Sequence, residues 1–507
     1  MRNPGSSASR SEHGAKGLEP MRIRVRLDGR QLRAWHVDLI EQLSLRPNTR
    51  VCVDATFEQP VVPSKVDGLF RIETLIHGLP RRGLSNRLPV SALARFERDE
   101  EAPADVTLDL CEDNPRADGR ALRVTYDGVA GEAALLTAIF DRRTPVMEVV
   151  AAEGVIAAGR LGSDHPGIAR ATFEDMLARA ASLIFAALDG GASSALPKLP
   201  PDRAPARRPA PLSSLDVPKL AIRQALRKVA VGIYRSVYHA PHWRIGWRKS
   251  GGRDVFQLRG HPEGGWKALA DDGSRFYADP FPIFRDGKLT LFFEDYEYRK
   301  GKGVISAIEI GPDGPIGVPS AVLEQPGHLS YPFVFEREGS VWMIPESCSA
   351  GTIDLYRSTK FPAGWVHEST LVSGVVASDA TLIERDGTWW LFATVRERGG
   401  SFSDALYLWS APDFRGPWTP HRRNPVLIDI ASARPAGRFV ERDGALYRPV
   451  QDCRNGYGAA LGIARVDRLD HEQYRQTVET LILPGPELGG RRLHTLNSAG
   501  GFEFIDG

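Results

Sequence analysis

Two aspartates, Asp279 and Asp379, stand far apart in the chain, yet each opens the same kind of stretch: an apolar strand, an Asp-Gly turn and a second apolar strand. A carboxylate at the mouth of such a strand can exchange a proton with whatever occupies the mouth. The stretch between them has Tyr331 at the matching position, the next one has Arg434, and the last has the His494 and Asn497 pair. The far ends of the second strands add Glu294, Glu346, Arg448 and Asp452. Ionisable groups that meet from distant parts of a chain signal function. A plainer reading is that the two aspartates cap turns and that the neighbouring arginines merely neutralise them.

These stretches belong to a repeat, with blocks at 278–295, 330–346, 378–393, 434–450 and 494–507. Their turn glycines, Gly287, Gly339, Gly387, Gly444 and Gly507, are spaced by 52, 48, 57 and 63 residues. Asp-Gly between two apolar runs marks a β-hairpin, and a period near 50 residues marks propeller blades. Five blades are predicted, filling 241–507. The fifth block ends at its Asp-Gly, so the ring must borrow strands from before the first blade, namely Trp243–Arg248, Val255–Leu258 and Trp266–Leu269. Closure of that kind hides sheet edges. Trp342 and Trp390 are expected between blades. Tyr277, Tyr331, Trp389 and Tyr457 are candidates for stacking on a sugar face.

The rest of the chain must be something else. Residues 1–20 are small and polar and read as a disordered tail. Residues 21–190 alternate strand and helix patterns and predict an α/β domain. Strands are expected at 22–27, 51–53, 106–110, 122–126 and 146–150, with helices at 31–45, 132–140 and 168–188. A Pro-rich linker follows at 191–214. Residues 215–240 form a basic amphipathic helix, with Ile222, Leu226, Val229, Ile233 and Val237 on one face. One reading is peripheral membrane contact through 218–238; the other is a connector packed on a domain. The fold class is therefore multidomain, an α/β domain followed by an all-β five-bladed propeller.

Composition narrows the function. Net charge is +2 from 65 basic and 63 acidic residues, which argues against a nucleic-acid partner. The four cysteines form no CxxC pair, so no metal site or disulfide framework is expected, and a reduced, cytoplasmic setting is. No apolar run suggests a signal peptide or membrane span. No GxGxxG follows the first strand, and no cofactor is expected.

Ala278-Asp-Pro and Ser378-Asp-Ala resemble the blade starts of the arabinanase, levansucrase and invertase superfamily, the five-bladed fold of glycoside hydrolase families 43 and 32. The resemblance implies that Asp279 is base or nucleophile and that Asp379 steadies the substrate and tunes the acid. The acid is usually a Glu in the fourth blade. Here Ser432–Arg438 offers Arg434 and Arg438 instead, so Glu346 or Glu294 must supply it. Ile344-Pro-Glu-Ser, Ser378-Asp-Ala-Thr, Gln451-Asp-Cys-Arg-Asn-Gly-Tyr-Gly and His494-Thr-Leu-Asn resemble more closely the N-terminal propeller of the plant glucosamine inositolphosphorylceramide transferases and their bacterial relatives. Residues 22–190 resemble the formyltransferase fold of methionyl-tRNA formyltransferase, a Rossmann-like arrangement. The His-containing loop of that chemistry is replaced: Asn114 is followed by Pro115, and His165 sits in a different setting.

The expectation is a carbohydrate-active protein that transfers, cleaves or phosphorolyses a glycosyl group in polysaccharide or glycolipid assembly. Asp279, Asp379 and Glu346 are its expected catalytic residues. Glu294, Tyr331, Arg434, Arg438, Arg448, Asp452, Tyr457, His494 and Asn497 are expected to bind substrate. Arginine forks beside carboxylates suit a sugar phosphate or nucleotide sugar. The alternatives are a glycan-binding scaffold without catalysis, and formyl transfer by the first domain.

Overall fold

Four of the Asp-Gly or Glu-Gly pairs do turn the chain. Asp286, Glu338, Asp386 and Asp443 have φ of 50°, 53°, 51° and 48°, and each following glycine is also left-handed. That pair of conformations is the hairpin turn whose twist matches the strands. In this computed structural model the described residues are 20–57, 62, 65–98, 103–111, 120–190, 195–200, single positions within 218–232, 242–489 and 491–507.

Five sheets form the propeller. The first blade comprises Arg275–Arg285, Lys288–Glu297, Lys302–Gly311 and Gly314–Leu323. The second comprises Ser330–Arg337, Ser340–Glu346, Thr352–Lys360 and Ala363–Ser373. The third uses Ala377–Arg385, Thr388–Val395 and Ala405–Ala411, with two short outer strands. In the fourth, only Val440–Arg442 of the inner strand is regular, ahead of Ala445–Asp452, Ala460–Leu469 and Tyr474–Ile482. The irregular part follows from Pro435, which lacks a ladder N–H, and from Gly437 at φ 137°, where a Cβ would lie 2.1 Å from the Leu496 carbonyl.

The fifth sheet closes the ring as expected, by joining both ends of the propeller. Its order is Leu496–Ala499, Phe502–Asp506, Ile245–Lys249 and Lys267–Ala268. Two details correct the sequence reading. Val255–Leu258 is a helical turn, because Asp254 caps it by accepting from the Gln257 N–H at 2.9 Å. The fifth hairpin turns at Gly500-Gly501, both left-handed, so Asp506-Gly507 is the end of a strand and not a turn.

Tryptophans and phenylalanines fill the seams between blades. Trp342 packs edge-on to Phe414, 5.0 Å between ring centres, and Trp390 joins a cluster with Tyr474. Trp389 lies 5.5 Å from the same Phe414 and is core, not a sugar platform.

Among its described residues, the N-terminal region is a seven-stranded sheet with four α-helices. Strands β1 (Met21–Asp28), β2 (Thr49–Thr56), β3 (Val106–Asp109) and β4 (Arg120–Tyr126) run parallel in the order β2-β1-β3-β4. β5 (Val129–Ala130) pairs with β4, and β6 (Val146–Ala151) and β7 (Gly154–Arg160) extend the sheet antiparallel. Helices α1 (Ala34–Ser44), α2 (Lys65–His77), α3 (Glu132–Phe140) and α4 (Ala169–Leu188) pack on it. Sequence patterns miss α2, whose Ile72 and Leu75 are exposed, and β7, which is rich in small residues. The Arg/aliphatic alternation of β1 suggests one wet face, yet Arg24 and Arg26 are both buried. β1 is a central strand, and Arg26 reaches Asp109 on its neighbour β3 at 3.3 Å.

This region docks on the propeller through charge. Arg179 of α4 donates to Asp404 at 2.6 Å and to the carbonyls of Val395 and Ser401. Arg160 meets Asp429 at 2.5 Å, and Asp164 accepts from Ser401 and the Phe402 N–H. Of the linker, 195–200 is described: the Lys198 carbonyl accepts from the Val478 N–H, and Leu199 packs against blade four. In the connector, the described residues from 218 to 232 are helical, with Ile222, Leu226 and Val229 exposed. Ile233, Val237 and the tail 1–19 lie outside the described residues.

Candidate functional site

Three inner strands carry the same irregularity. Their registers shift between Ala278 and Phe281, between Ser330 and Phe333, and between Ser378 and Thr381. The first residue of each bulge is left-handed: Asp279 at φ 52°, Tyr331 at 42° and Asp379 at 57°. Non-glycine residues rarely adopt this conformation, and holding one there costs about 1–3 kcal/mol. A bulge re-aims a side chain, and here it takes both aspartates out of the strand alternation.

Hydrogen bonds from neighbouring blades hold each bulge. Asp506 accepts from the Asp279 N–H at 2.8 Å, and Glu346 accepts from the Asp379 N–H at 3.1 Å. The Asp279 carboxylate in turn accepts from the Tyr331 N–H at 3.1 Å and the Thr495 hydroxyl at 2.9 Å. Asp379 accepts from Arg434 Nε at 2.6 Å and from Gln451 at 2.8 Å. Carboxylates at the ends of second strands therefore brace the strained starts of first strands.

His494 joins this network from the fifth blade. Its Nδ1 lies 2.6 Å from Asp506, its Nε2 lies 3.5 Å from Asp279, and its ring stacks on Trp243 with centres 4.1 Å apart. Tyr457 closes edge-on over His494 at 5.1 Å and lies 4.7 Å from the Arg434 guanidinium. Asp279, His494 and Asp506 offer three ligand atoms within 4.8 Å of one another, so this trio has the donors to hold a cation.

Burial sets the proton balance. It pushes Asp279 up to about 6; His494 pulls against this, while Asp506 and Asp379 reinforce it. Burial likewise pushes Asp379 up to about 7 against the pull of Arg434, with Glu346 adding to the rise. Glu294 is driven well above the usual carboxylate range by burial and by Asp279 and Glu346. His494 rises despite its burial, because Asp506 and Asp279 favour the imidazolium. Crowded carboxyls that cannot all ionise provide a proton donor and a proton acceptor in one place.

The structure thus brings together Asp279, Asp379, Glu294, Glu346, Arg434, Tyr457 and His494. The other sequence candidates have different positions. Tyr331 contributes its N–H, while its ring is fully buried and its hydroxyl is held by Thr381 and the Gly437 N–H. Asn497 links the Arg438 N–H to the Pro280 carbonyl. Arg438 itself reaches the Pro282 carbonyl between Phe281 and Phe333. Arg448 is spent on the carbonyls of Ser432 and Ala433 and on Gln476. Asp452 pairs with Arg454 at 2.8 Å. Sequence reading misses Asp506, Gln451, Thr495 and Trp243. Asp506 is missed because its Asp-Gly imitates the other turns; the Gly500-Gly501 pair six residues earlier is the signal that reassigns it. In the N-terminal region His165 is exposed, and Asn114 lies outside the described residues.

Known proteins match this propeller. Residues 267–494 fit the family described as Glucosamine inositolphosphorylceramide transferase 1, N-terminal. The rice protein of that name (Oryza sativa subsp. japonica) is 34% identical over 237 residues, covering 44% of this chain and 31% of its own. The Arabidopsis thaliana protein of that name is 34% identical over 207 residues, covering 40% and 27%. The chain therefore spans less than a third of these relatives. Among solved structures, a family 117 glycoside hydrolase from Zobellia galactanivorans is 12% identical, with a TM-score of 0.34 over 52% of this chain and 90% of its own. An exo-beta-1,3-galactanase from Phanerochaete chrysosporium is 12% identical, with a TM-score of 0.32 over 42% and 53%. The five-bladed propeller is thus similar in sequence to the N-terminal part of the plant transferases, as its repeats imply.

Proposed function

We propose that the mouth of the propeller performs glycosyl transfer or cleavage on an anionic or phosphorylated sugar in glycolipid or polysaccharide assembly. The observation that carries this reading is the meeting of Asp279, Glu294, Glu346 and Asp379 in one buried cluster, two of them held on left-handed backbone. Asp279, faced by His494, is the ionised partner and takes the proton of the attacking hydroxyl. Glu294, which burial and its acidic neighbours push toward the protonated form, gives its proton to the leaving oxygen as the anomeric C–O bond breaks. Glu346 suits this role less well, because it is engaged by the Asp379 N–H and lies 3.6 Å from Arg434. Asp379 and Arg434 orient the substrate, and Tyr457 offers a face for the sugar ring.

The names of the relatives suggest the first pair to try, a hexosamine donor with a phosphoinositol-bearing lipid acceptor. Product formation by wild-type protein and its loss in Asp279→Asn is the test. Turnover unchanged by that substitution overturns the assignment.

A second reading, sugar binding without turnover, draws on Arg434, which occupies both oxygens of Asp379 at 2.6 and 3.3 Å where a fourth-blade acid is otherwise expected. Calorimetric sugar binding with no product after long incubation distinguishes it. The exposed His165 gives formyl transfer no support, and docking onto the propeller is the role we infer for the N-terminal region.

A further inference from the structure

The helix that joins the N-terminal region to the propeller turns apolar side chains to solvent. Every described residue from Pro218 to Gly232 is exposed. Ile222, Leu226 and Val229 stand 62%, 66% and 61% exposed. Spacings of four and three residues put them in one stripe. A helix in a folded protein draws most of its stability from burying such a stripe, so this one calls for a surface to cover it.

A second apolar patch lies at the same corner of the molecule. Lys228 donates to the Ile76 carbonyl in the last turn of α2, where an ammonium group is favoured. That contact brings together Val229 and Leu75, the chain neighbours of the two partners. Leu75 is 80% exposed, and Ile72 on the same side of α2 is exposed as well. The acids of α2 turn inward and its cations outward. Glu73 is buried and accepts from the N–H groups of Ala169 and Arg170 at 2.9 and 2.6 Å. Asp67 is held by Arg33 and Arg87. Arg71 is exposed, as are Arg81 and Arg82 just beyond the helix. The sequence of the connector, 218–238, adds Lys219, Arg223, Arg227, Lys228 and Arg235, and no acid.

We propose that this corner, formed by the connector helix and the exposed side of α2, rests on an anionic lipid bilayer. An apolar stripe among cations, with no acid beside it, is the pattern of a helix that lies in the headgroup plane. Ile222, Leu226 and Val229 enter the apolar boundary, and Arg223 and the cations around it meet lipid phosphates. The helix lies on the bilayer and does not cross it, because the cations of 218–238 oppose insertion. Among the described residues no helix is long and apolar enough to span. A second copy of the chain fits this face less well, since a two-fold contact sets the all-basic stretch against itself. The N-terminal region and the connector thereby hold the propeller at a membrane surface. This inference concerns attachment and stands apart from the reaction proposed above.

Sedimentation of the full chain with lipid vesicles, in the absence of any sugar, tests this. Wild-type protein pellets with vesicles of equimolar phosphatidylcholine and phosphatidylglycerol, and binds phosphatidylcholine alone about tenfold more weakly. Leu226→Glu combined with Val229→Glu weakens binding to the anionic vesicles about tenfold or more, and Leu75→Glu weakens it by about threefold. Arg223→Glu, which leaves the apolar stripe intact, weakens it as well. All four positions are exposed, so unchanged thermal midpoints separate lost binding from lost folding. Val318→Glu, on the exposed outer strand of blade one, binds as wild type does. No pelleting by the wild type, equal binding to neutral vesicles, or full binding by the double variant or by Leu75→Glu overturns the proposal. So does a lipid-free dimer that the double variant converts to monomer, which assigns the face to a second copy. Binding by the wild type and its loss in the double variant uphold the proposal whether or not a glycosyl product forms.

Discussion

Two regions of this molecule bury charge, and they do so in opposite ways. At the seam between the N-terminal region and the propeller, Arg179 and Asp404 are both fully buried, and each is answered by its opposite and by backbone groups, with Gly162 adding an N–H to Asp404. At the propeller mouth, Asp279, Glu294, Glu346 and Asp379 crowd together with fewer cations than carboxylates, and the backbone of Asp279 and Asp379 is twisted into the left-handed region. Matched burial of opposite charges specifies how two surfaces dock. Crowded burial of like charges stores protons that chemistry can use. The difference separates a structural ion pair from a reactive cluster, although both consist of buried aspartates and arginines.

The comparison breaks most sharply at Asp279. Asp279→Asn should cut turnover by about 10²–10⁴-fold, the usual contribution of a positioned acid or base, as read by product formation under saturating donor. At the seam the same kind of truncation should act on stability instead. Arg179→Ala leaves Asp404 buried without its guanidinium and should cost about 3–5 kcal/mol in urea denaturation, whereas Arg179→Leu combined with Asp404→Leu should recover most of that loss. A result in which the double variant is as unstable as the single one would mean that the pair does more than match charge.

Glu294 and Glu346 sharpen the contrast within the mouth. Glu294→Gln should lower turnover by about 10²-fold and remove the alkaline limb of the pH profile, and Glu346→Gln should lower it by about tenfold. Stability should also carry the signature of crowding. The folded values of Asp279 and Asp379 are raised from 3.8 to about 6 and about 7, so the folded state binds more protons than the unfolded chain across that window. The contribution of these two groups to stability should therefore be greatest near pH 4 and fall as pH rises toward about 7. Thermal midpoints of Asp279→Asn should show a shallower fall than wild type, and the two carboxyls should titrate as a coupled set. The smallest effect is expected where charge is exposed: removing Arg357 or Glu368, paired at 3.0 Å on the rim of blade two, should change stability by less than about 1 kcal/mol.

Local chemistry determined much of this molecule in advance. Asp286-Gly, Glu338-Gly, Asp386-Gly and Asp443-Gly adopt the hairpin conformation their side chains favour, and with the apolar runs beside them they determine the blades. The borrowed strand Ile245–Lys249 follows from the need to cover an edge. Which side chains reach the mouth was not legible in the same way. In a strand, one residue of shift exchanges the two faces, and the bulges at Asp279, Tyr331 and Asp379 make that shift because carboxylates of other blades, Asp506, Asp279 and Glu346 respectively, accept their N–H groups. Hence Tyr331, Arg438, Arg448 and Asn497, plausible by position, are spent inside the ring. Asp506, hidden in what reads as a turn, stands beside His494 at 2.6 Å. Protonation is likewise a tertiary property, since nothing in the residues beside Glu294 marks it as different from any other strand-end glutamate. Burial and the charges that surround Glu294 push it far upward, and only the assembled ring creates those surroundings.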